Sequence, residues 1–423
     1  MFEPAFCAPQ FNFGVGCRFG GSGNSGGVVM MEGQQLITRT GNFFLNRYPP
    51  TTDRSLRAWD AADEYLLEHI AEHERQFERV LLVNDTFGAL TCALTRAFTC
   101  VRSHCKIYHW SDSILSQLAV AANVKRNQLD CTPTFINSTE SPQGEYDLVL
   151  IKVPKTTALL EDQLIRLRRH LRKDSVVVAA DMVRNLNRSS FECFEKILGP
   201  VTTSLARKKA RLIFATLDST LEPPENPYPT VFNDPLPGFP LFGHANVFSR
   251  QRLDLGARYF LDHFSLLPKA DSVVDLGCGN GVLGIAYQRE FPEAQLHFID
   301  ESYMAVESAR TGYQHLFGAS AGQSDSLGSK QANFLVNDGL SGFADQSVDL
   351  ILCNPPFHQQ HAVAENTAHA WFAESRRCLS QEGELWVVAN RHLRYYASLK
   401  RLFGACSTVS PGARFNLYRA HRS

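Results

Sequence analysis

The apolar and polar positions of this chain trace the same alternation twice. Between Ala58 and Thr216, short apolar runs alternate with segments of helical spacing. Val80-Leu-Leu-Val83, Ile107-Tyr-His-Trp110, Leu148-Val-Leu-Ile151 and Ser175-Val-Val-Val178 read as strands, and Ala58 to Ile70 has the period of a helix. From about Pro240 to the end the alternation returns, with apolar runs at Val273, Leu296, Phe334, Val348 and Glu384-Leu-Trp-Val-Val388. Such runs fit strands of a parallel sheet wrapped by helices. Between the two patterns lies Leu221-Glu-Pro-Pro-Glu-Asn-Pro-Tyr-Pro229. Four prolines in nine residues cannot continue a helix or a central strand, so this segment predicts a linker. The expected organisation is a loose tail over 1–40, a first domain over 41–218, a linker over 219–239 and a second domain over 240–423. The tail is Gly/Ser-rich from Phe13 to Val29, and Met30 and Met31 just after it suggest a later translation start. Gly318 to Lys330 predicts a surface loop.

The two halves also match residue by residue. Asp147-Leu-Val-Leu-Ile-Lys-Val-Pro-Lys155 aligns without gaps to Asp349-Leu-Ile-Leu-Cys-Asn-Pro-Pro-Phe357. Gly88-Ala-Leu90 sits where Gly281-Val-Leu283 sits, and His109-Trp-Ser-Asp-Ser113 where Phe298-Ile-Asp-Glu-Ser302 sits. Three matches in the same order, at similar separations, point to a duplicated domain.

Composition narrows the class. The chain has 423 residues, 42 Lys+Arg against 43 Asp+Glu and a net charge of −1, which excludes a uniformly basic nucleic-acid binder but not a local basic face. Eleven cysteines without a C-x-x-C pair fit reduced thiols in a cytoplasm better than disulfides. No apolar run approaches the ~20 residues of a membrane span, and no secretory signal is expected.

Chemistry concentrates in the second half. Val273-Val-Asp-Leu-Gly-Cys-Gly-Asn-Gly281 is a strand entering a glycine-rich turn and then a helix. Glycines there let backbone approach a ligand closely. The spacing resembles motif I of class I methyltransferases, in which Asp275 would face the cofactor's amino group beside Gly277, Gly279 and Gly281. Asp300 ends the next strand, where a carboxylate can accept both ribose hydroxyls, with Glu301 as the neighbour able to replace it. By the same resemblance Asp338, after a third strand, reads the adenine amine. The implied cofactor is S-adenosyl-L-methionine. Asn354-Pro355-Pro356-Phe357 ends the fourth strand. A ring-conjugated amine is a weak nucleophile. The Asn354 side-chain oxygen and the Pro355 carbonyl can accept its N–H groups, Pro355 and Pro356 stiffen the turn, and Phe357 can stack on a planar base. His358 and His361 follow without a third ligand at fixed spacing, so no metal is expected.

At the duplicated positions the first half lacks this chemistry. Leu82 stands for Asp275, Asn84 and Thr86 for the first two glycines, and Lys152-Val-Pro-Lys155 for the catalytic tetrapeptide. It carries charge instead: Arg166 to Lys173 along one expected helix, Arg207, Lys208, Lys209 and Arg211, and Lys152 with Lys155. Lys152, Lys155, Arg169, Lys208, Lys209 and Arg211 are the candidate RNA contacts.

These features together resemble one family. Ala58-Trp-Asp-Ala-Ala-Asp-Glu-Tyr-Leu66, Ile151-Lys-Val-Pro-Lys-Thr156, Lys208-Lys-Ala-Arg-Leu212, His244-Ala-Asn-Val-Phe-Ser-Arg250 and Asn354-Pro-Pro-Phe-His-Gln-Gln-His361 look like the RlmG family of large-subunit ribosomal RNA methyltransferases, close to the RsmC small-subunit enzymes. The match covers about Gly41 to the end. The resemblance implies two tandem Rossmann-like class I methyltransferase domains, the first degenerate and the second catalytic. It further implies methylation of a guanine N2 amine in 23S rRNA, naked or partly assembled, by a cytoplasmic monomer. The alternatives are the 16S rRNA guanine-N2 reaction and, from another substrate class, methylation of a protein glutamine.

Overall fold

A computed structural model of the chain describes residues 34–51, 53, 55–72, 75–99, 105–318, 332–356 and 361–422. The Gly/Ser-rich start, the expected loop from residue 319 to 330, Phe357 and His358 lie outside the described residues.

The first half opens with the hairpin β1 (Gln34–Thr38) and β2 (Gly41–Leu45), then α1 (Ala61–Ala71). A sheet follows, made of β3 (Arg79–Val83), β4 (Lys106–Ser111), β5 (Thr134–Asn137), β6 (Tyr146–Lys152), β7 (Leu171–Met182), β8 (Val201–Thr203) and β9 (Ala210–Ala215). Helices α2 (Ala89–Thr99), α3 (Ile114–Arg126), α4 (Thr157–Arg168) and α5 (Arg188–Ile197) connect its strands. The second half repeats the plan. It has a hairpin β10 (Thr230–Asn233) and β11 (Pro240–Gly243), then α6 (Leu255–Leu261). Its sheet holds β12 (Ser272–Leu276), β13 (Gln295–Asp300), β14 (Asn333–Val336), β15 (Val348–Cys353), β16 (Leu379–Asn390), β17 (Gly404–Pro411) and β18 (Phe415–Arg422). Its helices are α7 (Val282–Glu290), α8 (Tyr303–Phe317), α9 (His361–Cys378) and α10 (Tyr395–Phe403).

Strand order is β5-β4-β3-β6-β7-β9-β8 in the first sheet and β14-β13-β12-β15-β16-β18-β17 in the second, the same topology twice. Registers agree as well: Leu82 pairs with Leu150, and Asp275 with Leu352. Five parallel strands end in an antiparallel pair in each sheet. The central runs are apolar throughout because helices cover both faces. Leu82 and Leu150 face one core, and Leu81, Val83 and Val149 the other.

The sequence boundaries shift in three places. The expected tail includes β1, because Leu36 pairs with Phe43 and both are buried. The expected linker includes β10. The expected first helix starts at Ala61 rather than Ala58, since Asp60 caps it by accepting from Ala62 N and Asp63 N while Asp63 accepts from Asp60 N.

The halves meet at the ends of β4 and β13. Ser113 caps α3 and Ser302 caps α8, and the two serines form an antiparallel bridge. Ile114 N donates to Glu301 O and Tyr303 N to Asp112 O, both at 3.0 Å. The side chains cross too. Asp112 accepts from Ser302 Oγ at 2.6 Å and Met304 N at 2.9 Å, and Glu301 accepts from Ser113 Oγ. Asn246 Nδ2 adds a 2.6 Å bond to Asp112, and Ala158 and Leu159 of α4 pack on Ala245, Val247 and Met304.

Burial pushes the Glu301 carboxyl from 4.5 up to about 8, against the Ser113 hydrogen bond that favours its charged form. Glu301 therefore holds its proton in the folded chain where the unfolded chain has lost it. The stability it contributes is fully present below about pH 4.5 and is lost as pH rises to about 8. Glu301→Gln keeps an uncharged acceptor for Ser113. Its Tm relative to the parent should climb between about pH 5 and pH 8 and level off above. Melting curves at constant ionic strength check this, and a Tm difference independent of pH refutes it.

Candidate active site

Three carboxylates stand at the carboxyl ends of β12, β13 and β14, the side of an open parallel sheet where ligands bind. Asp275 is buried, and its Oδ2 accepts from Gly284 N in α7 at 2.9 Å. Burial pushes its carboxyl up to about 7, so a cationic ligand group nearby would favour its charged form. Asp300 accepts from Gly279 N and Ser302 N, both at 3.0 Å, which fixes the glycine turn to the end of β13; burial lifts its carboxyl above the ordinary range. Asp338 lies one strand further along, half-buried. Glu301, expected as the stand-in for Asp300, points instead across the junction to Ser113.

The turn itself forms a cradle. Gly277, Gly279 and Gly281 have φ of +71°, +54° and +78°. A Cβ at Gly279 would project into open space, whereas one at Gly277 would meet Trp371 at 2.9 Å. The cradle is therefore open above Gly279 and floored by Trp371, a residue with no signal in the sequence pattern. Acceptors at three strand ends and an open glycine turn suit a ligand carrying an ammonium, a diol and an aromatic amine.

At the end of β15, the Asn354 side chain makes one hydrogen bond among the described residues. Its Nδ2 donates to Asp254 Oδ2 at 3.0 Å. Its Oδ1 is buried with no partner among the described residues. An orphaned acceptor of this kind costs about 1–3 kcal/mol unless a ligand satisfies it. Asp254 serves twice, since the same oxygen caps α6 by accepting from Ala257 N at 2.9 Å. A carboxylate only accepts, so it fixes the Asn354 amine on Asp254 and leaves the carbonyl oxygen as the group able to accept. Pro355 is buried and Pro356 half-buried behind it. Asn246, on the segment before α6, is committed to Asp112.

The first half keeps this frame and changes its contents. Asn84 retains the left-handed backbone of Gly277, with φ +63°, and Gly88 that of Gly281, with φ +82°. Asp85 moves the cap inside the turn, accepting from Gly88 N and Thr91 N. Lys152, at the place of Asn354, pairs with Asp60 at 2.7 Å and Asp63 at 3.0 Å. Asp60 caps α1 as Asp254 caps α6. Burial pulls the Lys152 ammonium down, but Asp63 and Asp60 together hold it above its ordinary value. The expected RNA contact at Lys152 is thus corrected: its side chain is 13% exposed and already neutralised.

Other basic residues divide the same way. Arg166 binds Ser138 O and Asp162, and Arg168 binds carbonyls of Ile197, Leu198, Asp218 and Leu221, so both tie structure together. The expected basic helix ends at Arg168, and Arg172 and Lys173 lie on β7. Lys155, Arg169, Lys208 and Lys209 are exposed, and Arg211 is half-buried. Lys208 pairs with Glu64 at 2.7 Å on the surface, an arrangement of small net worth that leaves its charge available. Lys208 and Lys209 form the β8–β9 turn, with φ of +47° and +65°.

A doubly wound sheet with an acid after each of its first three strands and an asparagine-proline turn after the fourth defines a class I methyltransferase domain. Comparisons with known proteins agree. Residues 33–219 match the RLMG N-terminal domain and residues 238–419 the methyltransferase small domain. Proteins named ribosomal RNA large subunit methyltransferase G are similar throughout. The one from Ectopseudomonas mendocina is 45% identical over 89% of this chain and 97% of its own, and that from Stutzerimonas stutzeri 44% over 91% and 98%. Among solved structures, the T. thermophilus 16S rRNA N2 methyltransferase RsmC, in complex with AdoMet and guanosine, has the same fold. Its TM-score is 0.69 at 21% identity, over 92% of this chain and 98% of that one. The chain belongs to the ribosomal RNA large subunit methyltransferase G family.

The two duties of Asp254 can be separated. Ser is as good a helix cap as Asp but is too short to reach Asn354 as well. Asp254→Ser should leave Tm within a few degrees of the parent and lower kcat by about 10²-fold, with KM for the cofactor little changed. Asp254→Asn, which retains the acceptor, should restore most of the rate. Equal kcat in the Ser variant and the parent would show that Asp254 only caps the helix.

Proposed function

We propose that this chain methylates the exocyclic N2 amine of a guanine in 23S rRNA, using S-adenosyl-L-methionine. The observation that carries the reading is Asn354 Oδ1, a buried carbonyl oxygen with no partner among the described residues, on an amide whose amine is taken by Asp254. The rRNA substrate is supported by the names of relatives 45% identical over most of the chain. The cofactor supplies an electrophilic methyl group on a sulfonium. Asp275 would face its ammonium, Asp300 its ribose diol and Asp338 its adenine amine, with Gly277, Gly279 and Gly281 giving backbone access.

The protein's own contribution is positioning. The guanine N2 lone pair is delocalised into the ring. Asn354 Oδ1 and the Pro355 carbonyl accept its two N–H groups and favour a pyramidal nitrogen whose lone pair leaves the ring plane. Neutral carbonyls are too weakly basic to remove a proton beforehand. They hold the N–H until the nitrogen has become cationic, after which the proton passes to water. Fixed acceptors of this kind need no reorganisation during the reaction. Phe357, outside the described residues, is the proposed stacking surface for the base. In this reading 41–218 is the RNA-reading domain and 240–423 the catalytic one. Lys155, Arg169, Lys208, Lys209 and Arg211 face phosphate. Among the described residues no helix is long and apolar enough to cross a membrane, and the proposed setting is the cytoplasm.

Incubation of the purified protein with labelled cofactor and deproteinised 23S or 16S rRNA tests the proposal. Mass spectrometry of nuclease fragments should find one added methyl, on a 23S guanine, and none with Asn354→Ala. Methylation confined to 16S rRNA would favour the small-subunit reaction, and label in a protein glutamine would overturn the RNA reading. For the reader domain, the double variant Lys208→Glu/Lys209→Glu should weaken rRNA binding and reduce the slope of log affinity against log salt by about 1–2. Unchanged binding would return this turn to a solvated surface.

A further inference from the structure

Tyr48 follows β2 in the first half, yet its hydroxyl donates to Asp338 Oδ2 in the second half at 2.7 Å. The acid proposed to read adenine is thus held by a residue 290 positions away in the other half. The local backbone is fixed from its own side. Asn337 Nδ2 donates to Gly339 O and Ser341 O, and Leu340 N donates to Glu374 Oε2 at 2.8 Å. Gly339 has φ +53°, and a Cβ there would meet Glu374 and Trp371. None of these bonds reaches the Asp338 carboxylate. What does act on it from its own half is Glu374, a like charge that repels it. Tyr48 supplies the opposing attraction. Burial, and the nearby Asp338 and Glu374, push the phenol up from its ordinary value, so it remains a neutral donor. A carboxylate with one phenol bound still has lone pairs for a further N–H.

The arrangement has a counterpart. Asn246 follows β11 in the second half as Tyr48 follows β2 in the first, and it crosses to Asp112 at 2.6 Å. Each half therefore sends the segment after its hairpin to an acid of the other. Only in one direction is that acid part of the candidate cofactor site.

We propose that Tyr48 is a positioning residue of the cofactor site, holding Asp338 toward the adenine amine, so that the pocket is complete only with the first half docked. This rests on the reading of Asp338 as the adenine acid. The first half, besides reading RNA, then supplies part of the methyl donor's site.

Tyr48→Phe in the full chain keeps the ring and removes the hydroxyl. Calorimetry would compare S-adenosylhomocysteine with its inosyl analogue, which carries a carbonyl where adenine has its amine. The variant should bind the adenosyl compound about 5- to 10-fold more weakly, with affinity for the inosyl compound unchanged. Asp338→Ala should weaken adenosyl binding, and adding Tyr48→Phe to it should cost nothing more. Equal weakening of both ligands by Tyr48→Phe would overturn the proposal in favour of a general packing role, and no weakening would overturn it outright. If Asp338→Ala binds as the parent does, the adenine reading itself fails. A normal loss with Asp338→Ala beside an inert Tyr48→Phe would sink only the role of Tyr48.

Discussion

Asp112 and Glu301 stand at the ends of equivalent strands, and each sends its side chain to the helix N-terminus of the other half. Two side chains of the candidate site, Asn354 and Asp338, are held by segments that this crossing anchors. The segment from His244 to Asp254 is anchored at one end by Asn246 on Asp112 and by the apolar contact of Ala245 and Val247 with α4. At its other end Asp254 orients the Asn354 amide. The same docking brings Tyr48 to Asp338. The Asn354 amide and the Asp338 carboxylate are thus both held by contacts that depend on how the two sheets are joined.

The duplicated site shows what one scaffold can do with two sets of side chains. In each half an acid caps the helix after the hairpin and reaches the residue that ends the fourth strand. With asparagine there, the acid takes the amine, and the carbonyl oxygen has no partner among the described residues. With lysine there, Asp60 and Asp63 take the whole charge and nothing is left over. Removing one member of such a buried ion pair costs about 3–5 kcal/mol. At the place of Asn354 the first half thus holds a lysine whose charge is already paired. Asp85, at the place of buried Cys278, fastens the turn from inside through Gly88 N and Thr91 N.

Much of this was legible in the sequence, for a physical reason. Parallel strands buried on both faces are continuous apolar runs, so an acid or an asparagine at the end of one is conspicuous. Asp275, Asp300, Asp338 and Asn354 stood out that way, and the structure places them at adjacent strand ends. The β1–β2 and β10–β11 hairpins did not, because their short strands interleave polar residues with apolar ones, without the continuous apolar run of a buried strand, and sit beside a Gly/Ser-rich start and a proline-rich segment. The fate of Lys152 was illegible too. Its neighbours in sequence suggested an exposed basic cluster, while its partners lie about ninety residues earlier on the first helix. Tyr48 and Trp371 carry no local signal, since the groups they touch are brought to them by the fold.

The polar character of the junction fixes the register in which the two halves meet. An apolar interface tolerates sliding, because hydrophobic burial has no direction. A carboxylate that must receive a backbone N–H, a hydroxyl and an amide at once permits one register. Asp112 does this with Met304, Ser302, Ser138 and Asn246. Such a network adds little net stability when complete but penalises every misaligned arrangement. Only a partner whose strand and helix end in the same geometry can complete it from the other side. A twin domain provides that geometry by construction, even with other residues at the places of the first two glycines, the strand-end acid and the acceptor. The topology of the first half is therefore constrained by the catalytic half, whatever its own surface binds.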